Sequence, residues 1–487
     1  MSVPIFLQGK LLGIEDFVLA PACADEARGE ALLAGRSHWV TLLSEVLPRA
    51  LLAELGLARI LLGSSGGGSF LLVLPPEAAS SADEFLSRAA ESIRQLSGGH
   101  LHLVWASTEN LGDWTIVRKR LHEEMTRRQG RLKEKDREAL FAPFVARTTE
   151  PEETEYFSHY LAQKLRDAQS VGWSPEEPAK VLIGEGKHSW GVGVSQDAIP
   201  LARHTALDDS GAEPASLRTL ASRATGKPLW GVLRGDVDGF GTRMRRLGSI
   251  EEHVQLCVLF KQFFAGELEV VCSMAEFWRK VTTLYSGGDD FAVYGSWDAL
   301  LLLAREIQRV FHRFAAQDLK DWPGPEAKTI TMSLALAPQL DSPFAFVYEE
   351  AGRNLEAAKS TSKDCFHLFD RTIEWKSFLQ ASETKDTMVR MVEEFGCPPQ
   401  LLSEMSGLYR DKPPSLAQAK GRFDRPWRYH RRLNRMMGPE TEQGRGKEFQ
   451  RLRAGLIADV IGRSPIQVKL RPAGRVAVEW ARLEIES

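Results

Sequence analysis

Cysteine is scarce in this chain and never paired. Five occur in 487 residues, at positions 23, 257, 272, 365 and 397, and no CxxC pair exists. This excludes a zinc ribbon and a disulfide framework and points to a reducing compartment. Long apolar runs are also missing. No stretch approaches the roughly 20 residues that a membrane helix needs. The opening MSVPIFLQGK lacks the basic segment and apolar core of a secretory signal. The expectation is a cytoplasmic protein with no membrane association. An excess of one charge is absent too: 62 basic against 65 acidic residues leave a net charge of -3, so any nucleic-acid surface must be local. With 43% apolar and 26% charged residues, disorder and collagen-like repeats are ruled out. The length suits roughly three or four domains.

What is present is an internal repeat. Residues 231–240 read GVLRGDVDGF, an apolar strand ending in an acidic glycine turn; residues 283–295 read TLYSGGDDFAVYG, a hairpin pattern. The N-terminal part has the same plan in PIFLQGKLLG (4–13) and ARILLGSSGGGSFLLV (59–74). Gly9 and Gly13 are spaced like Gly235 and Gly239, and Ser65 to Phe70 align with Ser286 to Phe291. Segments between and after the hairpins carry apolar residues at three- and four-residue spacing, which predicts helices. Each half therefore reads strand, helix, hairpin, helix, strand, helix. That order predicts an α+β layer, an antiparallel sheet with helices on one face. Residues 147–223 form a mixed stretch with a helix expected at 156–171. The pattern after Trp375 is helical to about residue 463, and the last twenty residues read as a hairpin or a frayed tail.

Acids at the key positions occur in one half only. Asp236 and Asp238 end the first strand, and Asp289 and Asp290 sit on the hairpin. If those strands are neighbours, three or four carboxylates converge. Crowded carboxylates raise one another's pKa unless a cation neutralises them. Hard oxygen donors on adjacent turns suit two Mg²⁺ or Mn²⁺ ions and in-line phosphoryl displacement. An isolated Gly-Gly-Asp-Asp is also simply a good turn; a second acidic turn about fifty residues upstream is what a turn does not need. In the other half Lys10, Gly68 and Ser69 stand where Asp236, Asp289 and Asp290 do, so that half cannot bind the same metals. Its SGGGSF hairpin still permits close approach of a nucleotide. One half is thus expected to hold a donor nucleotide and the other an acceptor. Lys359 and Lys363, in EAAKSTSKDCF, are placed to reach a triphosphate, or serve as ordinary cations at a helix C-terminus. Residues 420–453 carry 11 Lys+Arg against 4 Asp+Glu with Phe423, Trp427 and Tyr429 interleaved, which fits an RNA-tracking patch or a solvated helical face.

These motifs resemble the large subunit of type III CRISPR effector complexes, the Csm/Cmr-type polymerase-cyclase (the Cas-ten family). The resemblance runs through GKLLGIEDF (9–17), GRSHWVTLLSEVL (35–47), SSGGGSFLLVLP (64–75), GDVDGF (235–240), SGGDDF (286–291), SLALAP (333–338) and LEAAKSTSKDCFHLFDRTIEW (355–375). It implies two ferredoxin-like palm domains with helical middle and C-terminal domains: a degenerate first palm at 1–146, a middle domain at 147–223, a catalytic palm at 224–371 and a C-terminal domain at 372–487. It implies conversion of ATP to cyclic oligoadenylate with two Mg²⁺ or Mn²⁺ ions when target RNA is captured. By position, Asp236, Asp289 and Asp290 would be catalytic, with Val237 joining them around the metals. Gly239, Phe240, Ser286, Gly287, Gly288, Lys359 and Lys363, with Ser65, Gly67 and Gly68, would contact nucleotide. The implied partners are a subunit binding the guide's 5′ end, a small helical subunit, CRISPR RNA and target RNA.

Three features depart from that pattern. The first palm begins within ten residues of the N-terminus and no His-Asp dipeptide occurs, so HD nuclease activity is not expected. Residues 147–223 contain no cysteine, so no zinc site is expected there. Lys10 replaces an acid. Two other readings stay open: a nucleotide-binding structural subunit without turnover, and a free-standing GGDEF-like cyclase.

Overall fold

The computed structural model describes residues 3–20, 29–139, 155–193, 198–410, 446–460 and 472–486, with Arg431, Arg435 and Met437. The basic stretch with Phe423, Trp427 and Tyr429 lies largely outside the described residues. Cys257, Cys272 and Cys365 are free thiols, and among the described residues no helix is long and apolar enough to cross a membrane.

The repeat in the sequence is a repeat in space. The first half runs β1 (Ile5–Leu12), α1 (Ile14–Val18), α2 (Gly29–Glu54), β2 (Leu62–Gly66), β3 (Ser69–Leu74), α3 (Ala79–Leu96), β4 (His102–Glu109) and α4 (Trp114–Ala139). Its sheet is ordered β2-β3-β1-β4, and every pairing is antiparallel. After the middle segment comes the second half: β8 (Trp230–Val237), α7 (Phe240–Arg245), α8 (Ile250–Gln262), a π-helical turn (Phe263–Glu267), α9 (Leu268–Cys272), β9 (Val281–Ser286), β10 (Asp290–Ser296), α10 (Trp297–Gln317), β11 (Ile330–Leu336) and α11 (Phe344–Thr361). Here β9-β10-β8-β11 repeats the order of the first sheet, and β12 (Cys365–Leu368) and β13 (Arg371–Glu374) extend it. The expected α+β fold with two palms is what forms. The second sheet runs on to Glu374, past the expected boundary at 371, because β12 pairs in parallel with β11 and β13 pairs with β12.

The correspondence reaches single residues. Gly9 lies opposite Phe70 and Gly235 opposite Phe291. In each pair the ring covers the glycine so closely that a Cβ would lie 2.1 or 2.2 Å from a ring carbon. Gly13 and Gly239 both take left-handed conformations, φ 79° and 75°, to turn the chain from strand into helix. The Leu11 amide donates to the Gly68 carbonyl at 2.7 Å, and the Val237 amide donates to the Asp289 carbonyl at 2.9 Å.

The palms are locked by a reciprocal crossing. Helix α2 packs on β9 of the second palm, and α8 packs on β2 of the first. A helix that crosses two domains is apolar all round; α2 is buried along most of its length, from Leu32 to Leu52. One core therefore joins the first palm, the middle segment and one face of the second sheet, through residues such as Trp39, Phe157 and Tyr294. A second core fills the other face of the second sheet with Phe260, Phe291, Trp297 and Phe311.

Two expectations are corrected. The middle segment is not simply helical. After a π-helical turn (Tyr156–Leu161) and α5 (Ala162–Lys164) it forms a three-stranded sheet of β5 (Ser170–Trp173), β6 (Leu182–Ile183) and β7 (His188–Gly191). Gly172 and Gly186 permit it: a Cβ on Gly172 would lie 2.6 Å from the Gly186 amide nitrogen. Short α6 (Leu217–Ser222) then leads into the second palm. The chain's end is neither hairpin nor tail. After α12 (Trp375–Glu393), α13 (Gln400–Arg410) and α14 (Gly446–Val460), helix α15 (Pro472–Ile485) buries Ala473, Val476, Ala477, Trp480 and Ala481. Those positions follow the three-and-four spacing of a helix face, which the RVAVEW alternation conceals. Proline suits its position at the helix start. Lys227 donates its amide to Leu483 at 2.7 Å, tying this helix to the second palm.

Candidate functional site

The acidic turn and the acidic hairpin of the second palm meet as the sequence demands. Asp290 is the cross-strand partner of Asp236, and the Val237–Asp289 hydrogen bond draws the third acid alongside. Gly287 makes room for this: a Cβ there would lie 2.5 Å from Asp290 Oδ1. Burial pushes the Asp289 carboxyl up to about 7, with Asp290 and Asp236 adding repulsion. Asp290 is raised to about 6 by burial and then by Asp236. Asp236 is raised as well, chiefly by burial, while Lys359 opposes the rise. The Lys359 ammonium lies 2.6 Å from Asp236 Oδ1.

Asp238, two residues beyond Asp236, does not join them. It is 2% exposed and accepts hydrogen bonds from the Thr329 and Thr331 hydroxyls at 2.8 Å each and from the Asp364 amide at 2.9 Å. It lies one residue past the end of β8, where the strand alternation no longer sets its direction, and there it pins three segments together. Three carboxylates converge, not four.

The two hairpins face each other. A Cβ on Gly67 would lie 3.2 Å from the Gly288 amide nitrogen. On one side of this contact is a cavity of about 300 Å³ whose walls include Ser65, Gly67, Phe240, Ser286, Gly288 and Asp289. On the other is a cavity of about 210 Å³ that Gly68, Gly287 and Tyr348 help to line. Asp290 lines both. Asp236, covered by Lys359, lines neither, nor does Gly239, whose role is the left-handed turn before α7. Phe240 packs edge-on against Phe260, with ring centroids 4.9 Å apart. Lys363 is exposed beyond the end of α11.

The serines of the hairpins are held. Ser286 donates to the Phe264 carbonyl at 2.5 Å, inside the π-helical turn, a feature frequent beside functional sites. Ser65 donates to Glu45 Oε2 at 2.8 Å, the oxygen that also takes Arg49 at 2.7 Å and Lys261 at 2.6 Å. Burial would raise the Glu45 carboxyl, but Lys261 and Arg49 together hold it below its usual value. This buried group joins α2 of one palm to α8 of the other behind the SGGGSF hairpin. The sequence reading missed it. An acid and a base four residues apart within the otherwise apolar run of α2 were the available signal.

The donor chemistry suits a divalent cation. Three carboxylates are pressed together at strand ends, and a lysine ammonium already stands on one of them. Among the described residues, no three acidic, His or Cys side chains close around a point as they stand.

Residues 229–367 match the family model for the second palm domain of Cas10/Cmr2, and residues 4–143 match the model for Csm1 subunit domain B. Two curated relatives are both named CRISPR system single-strand-specific deoxyribonuclease Cas10/Csm1 (subtype III-A). The Enterococcus italicus protein is 27% identical over 36% of this chain and 22% of its own length. That of Mycobacterium tuberculosis is 27% identical over 32% of this chain and 21% of its own length. The matched stretch thus spans about a fifth of either relative. Among solved structures, the apo Csm1-Csm4 cassette aligns with a TM-score of 0.72 at 17% identity, covering 99% of this chain and 70% of that one. The cassette in complex with one ATP aligns at 0.69 and 18% identity, with coverage of 99% and 70%. A first palm in the position of domain B, followed by an acid-bearing second palm in the same order, makes this chain a member of the Cas10/Csm1 family.

Proposed function

We propose that the chain is the large subunit of a type III CRISPR RNA-guided effector and that it converts ATP to cyclic oligoadenylate at the palm–palm cleft when target RNA binds. The observation that carries the reading is the pairing of Asp236 with Asp290, beside Asp289, against a glycine hairpin that has no acids. Csm1-Csm4 cassettes solved with ATP, cA3 and cA4 share this fold. Solved complexes with Csm4 also support assembly with other type III subunits. We extend the partner set to a small helical subunit, CRISPR RNA and target RNA.

In this reading Asp236, Asp289 and Asp290, with the Val237 carbonyl, hold two Mg²⁺ or Mn²⁺ ions. Bound there, the ions would polarise the α-phosphate and lower the pKa of the attacking 3′-hydroxyl. The chain's own contribution is placement. Ser286, Gly287 and Gly288, with Phe240 at the neighbouring turn that Gly239 makes, offer a close surface to the donor nucleotide. Ser65, Gly67 and Gly68 offer the matching surface to the acceptor. Lys359 and Lys363 supply positive charge for the triphosphate and the departing pyrophosphate. Holding both nucleotides in register converts a bimolecular reaction into an intramolecular one. Repetition lengthens the chain, and attack of its own terminal 3′-hydroxyl on its 5′ α-phosphate closes the ring, breaking the α–β phosphoanhydride bond and releasing pyrophosphate.

The deciding experiment is product analysis by mass spectrometry from ATP, with guide complex and target RNA. Asp289→Ala combined with Asp290→Ala is expected to abolish oligoadenylate while leaving assembly intact. Persistent synthesis in the double variant would overturn the catalytic assignment.

A further inference from the structure

Asp290 borders both cavities, and its orientation depends on a chain of side chains that reaches the other palm. The Tyr285 hydroxyl donates to Asp290 Oδ2 at 3.3 Å. Arg234 Nη2 donates to the Tyr285 hydroxyl at 3.5 Å and to Glu15 Oε1 at 3.2 Å. The Tyr348 hydroxyl donates to that same Glu15 oxygen at 3.1 Å. Arg234, Tyr285 and Tyr348 come from β8, β9 and α11 of the second palm. Glu15 comes from α1 of the first.

The seat of Arg234 is built for it. Its guanidinium carbon lies 4.2 Å from the centroid of the Tyr348 ring, a cation–π stack that holds the plane of the group. One turn along α11, a Cβ on Gly352 would lie 2.6 Å from Arg234 Nη1. Glycine is a poor residue for a helix interior, so its presence there is explained by the guanidinium that fills the space. Arg234 also stands two residues before Asp236 on one strand, which puts both on one face of the sheet. It is close enough to act electrostatically on Asp290.

We propose that Tyr285 is a positioning residue for Asp290, and that the Glu15–Arg234 pair is the contact by which docking of the first palm sets it. The proposal rests on the reading of Asp290 as a catalytic acid. With the first palm docked, Glu15 shares the Arg234 charge, and the guanidinium supports the Tyr285 hydroxyl in donating to Asp290. Linked hydrogen bonds of this kind polarise one another. Without the Glu15 carboxylate, the Arg234 charge falls undivided on Tyr285 and Asp290, and the Asp290 carboxylate loses the orientation it needs. The acid is thus oriented by groups from both palms.

The test uses the full chain and two readouts: Mn²⁺ titration of the nucleotide-free protein by electron paramagnetic resonance, and ATP turnover in the assembled complex. Tyr285→Phe, which removes one hydroxyl, is expected to weaken Mn²⁺ binding and lower kcat by about tenfold each, the loss of one hydrogen bond to a charged group. Its KM for ATP stays within about twofold. Glu15→Gln acts in the same direction with a smaller effect, and the double variant is no worse than Tyr285→Phe alone, because both act through one chain. A wild-type Mn²⁺ titration for Tyr285→Phe, or single effects that multiply in the double variant, overturns the proposal. Should wild-type protein bind Mn²⁺ yet form no oligoadenylate, the cyclase reading fails, and the Mn²⁺ titrations of the three variants still decide this one.

Discussion

Lys359 Nζ lies 2.6 Å from Asp236 Oδ1, so the lysine at the end of α11 neutralises the acid that the proposed mechanism assigns to a metal ion. In that proposal the lysine and the ion would compete for one oxygen. A charged hydrogen bond of this kind contributes about 1.5–3 kcal/mol, tenfold or more in affinity. Lys359→Met is therefore expected to tighten Mn²⁺ binding to the nucleotide-free chain by about tenfold, while ATP binding weakens because a phosphate partner is lost. Mn²⁺ titration and equilibrium ATP binding measure the two effects separately. Weaker Mn²⁺ binding in the variant would show that Lys359 supports the metal site instead of occupying it.

Metal affinity should depend on pH across the neutral range. Asp289 titrates near 7 and Asp290 near 6, both raised first by burial and then by neighbouring carboxylates. A raised carboxyl keeps its proton below that pH, and an incoming cation must expel it. From pH 8 down to pH 6, Asp289 alone costs about tenfold in apparent affinity and Asp290 about a further twofold. Calorimetry in buffers of different ionisation enthalpy should detect about one proton released at pH 6.5 and little at pH 8. Equal affinity at both values would mean that these acids are already ionised.

Gly67 and Gly68 should fail in different ways when enlarged. Gly67 has φ +56° and faces the Gly288 amide; Gly68 has φ +71°, and its Cβ would lie 2.6 Å from Ile14 Cδ1. A left-handed conformation costs a branched residue about 1–2 kcal/mol. Gly68→Val adds a clash inside the first palm, so it is expected to lower the melting temperature. Gly67→Val presses instead on the other palm. It is expected to cut oligoadenylate yield by at least about tenfold while Mn²⁺ binding at the acids persists. Normal yield from Gly67→Val would mean that the hairpins need not approach during synthesis.

The repeat was legible in the sequence because each half keeps the residues its geometry requires. Gly9 and Gly235 must admit a phenyl ring, and Gly13 and Gly239 must take a positive φ. Asp236, Asp289 and Asp290 were legible because acids on two successive turns have no local structural purpose. The middle sheet was not legible, because its strands are only two to four residues long and leave no alternation to read. Nor were Glu45, Lys261, Arg234 and Glu15. Each sits in an ordinary helix or strand pattern, and its role depends on a partner in the other half of the chain. Helix α15 was misjudged because small residues on its buried face look like turn or strand residues until their docking surface is known.

Asp236 and Asp238 share one motif and should separate cleanly on mutation. Asp238 is buried with three donors aimed at it from β11, the segment before β11 and the residue preceding β12. Asp238→Ala would leave two hydroxyls and an amide without an acceptor, at a cost of about 3 kcal/mol or more. The expected result is a large drop in the denaturation midpoint with urea. Asp236 lies half-buried among like charges with one lysine partner. Removing it relieves repulsion as well as breaking an ion pair, so Asp236→Ala should change stability by less than about 1 kcal/mol. The same variant should lose Mn²⁺ binding and oligoadenylate synthesis. Urea denaturation alongside Mn²⁺ titration of both variants checks the crossing. If Asp238→Ala is as stable as wild type and fails only in metal binding, then Asp238 turns toward the cleft and four acids, not three, form the site.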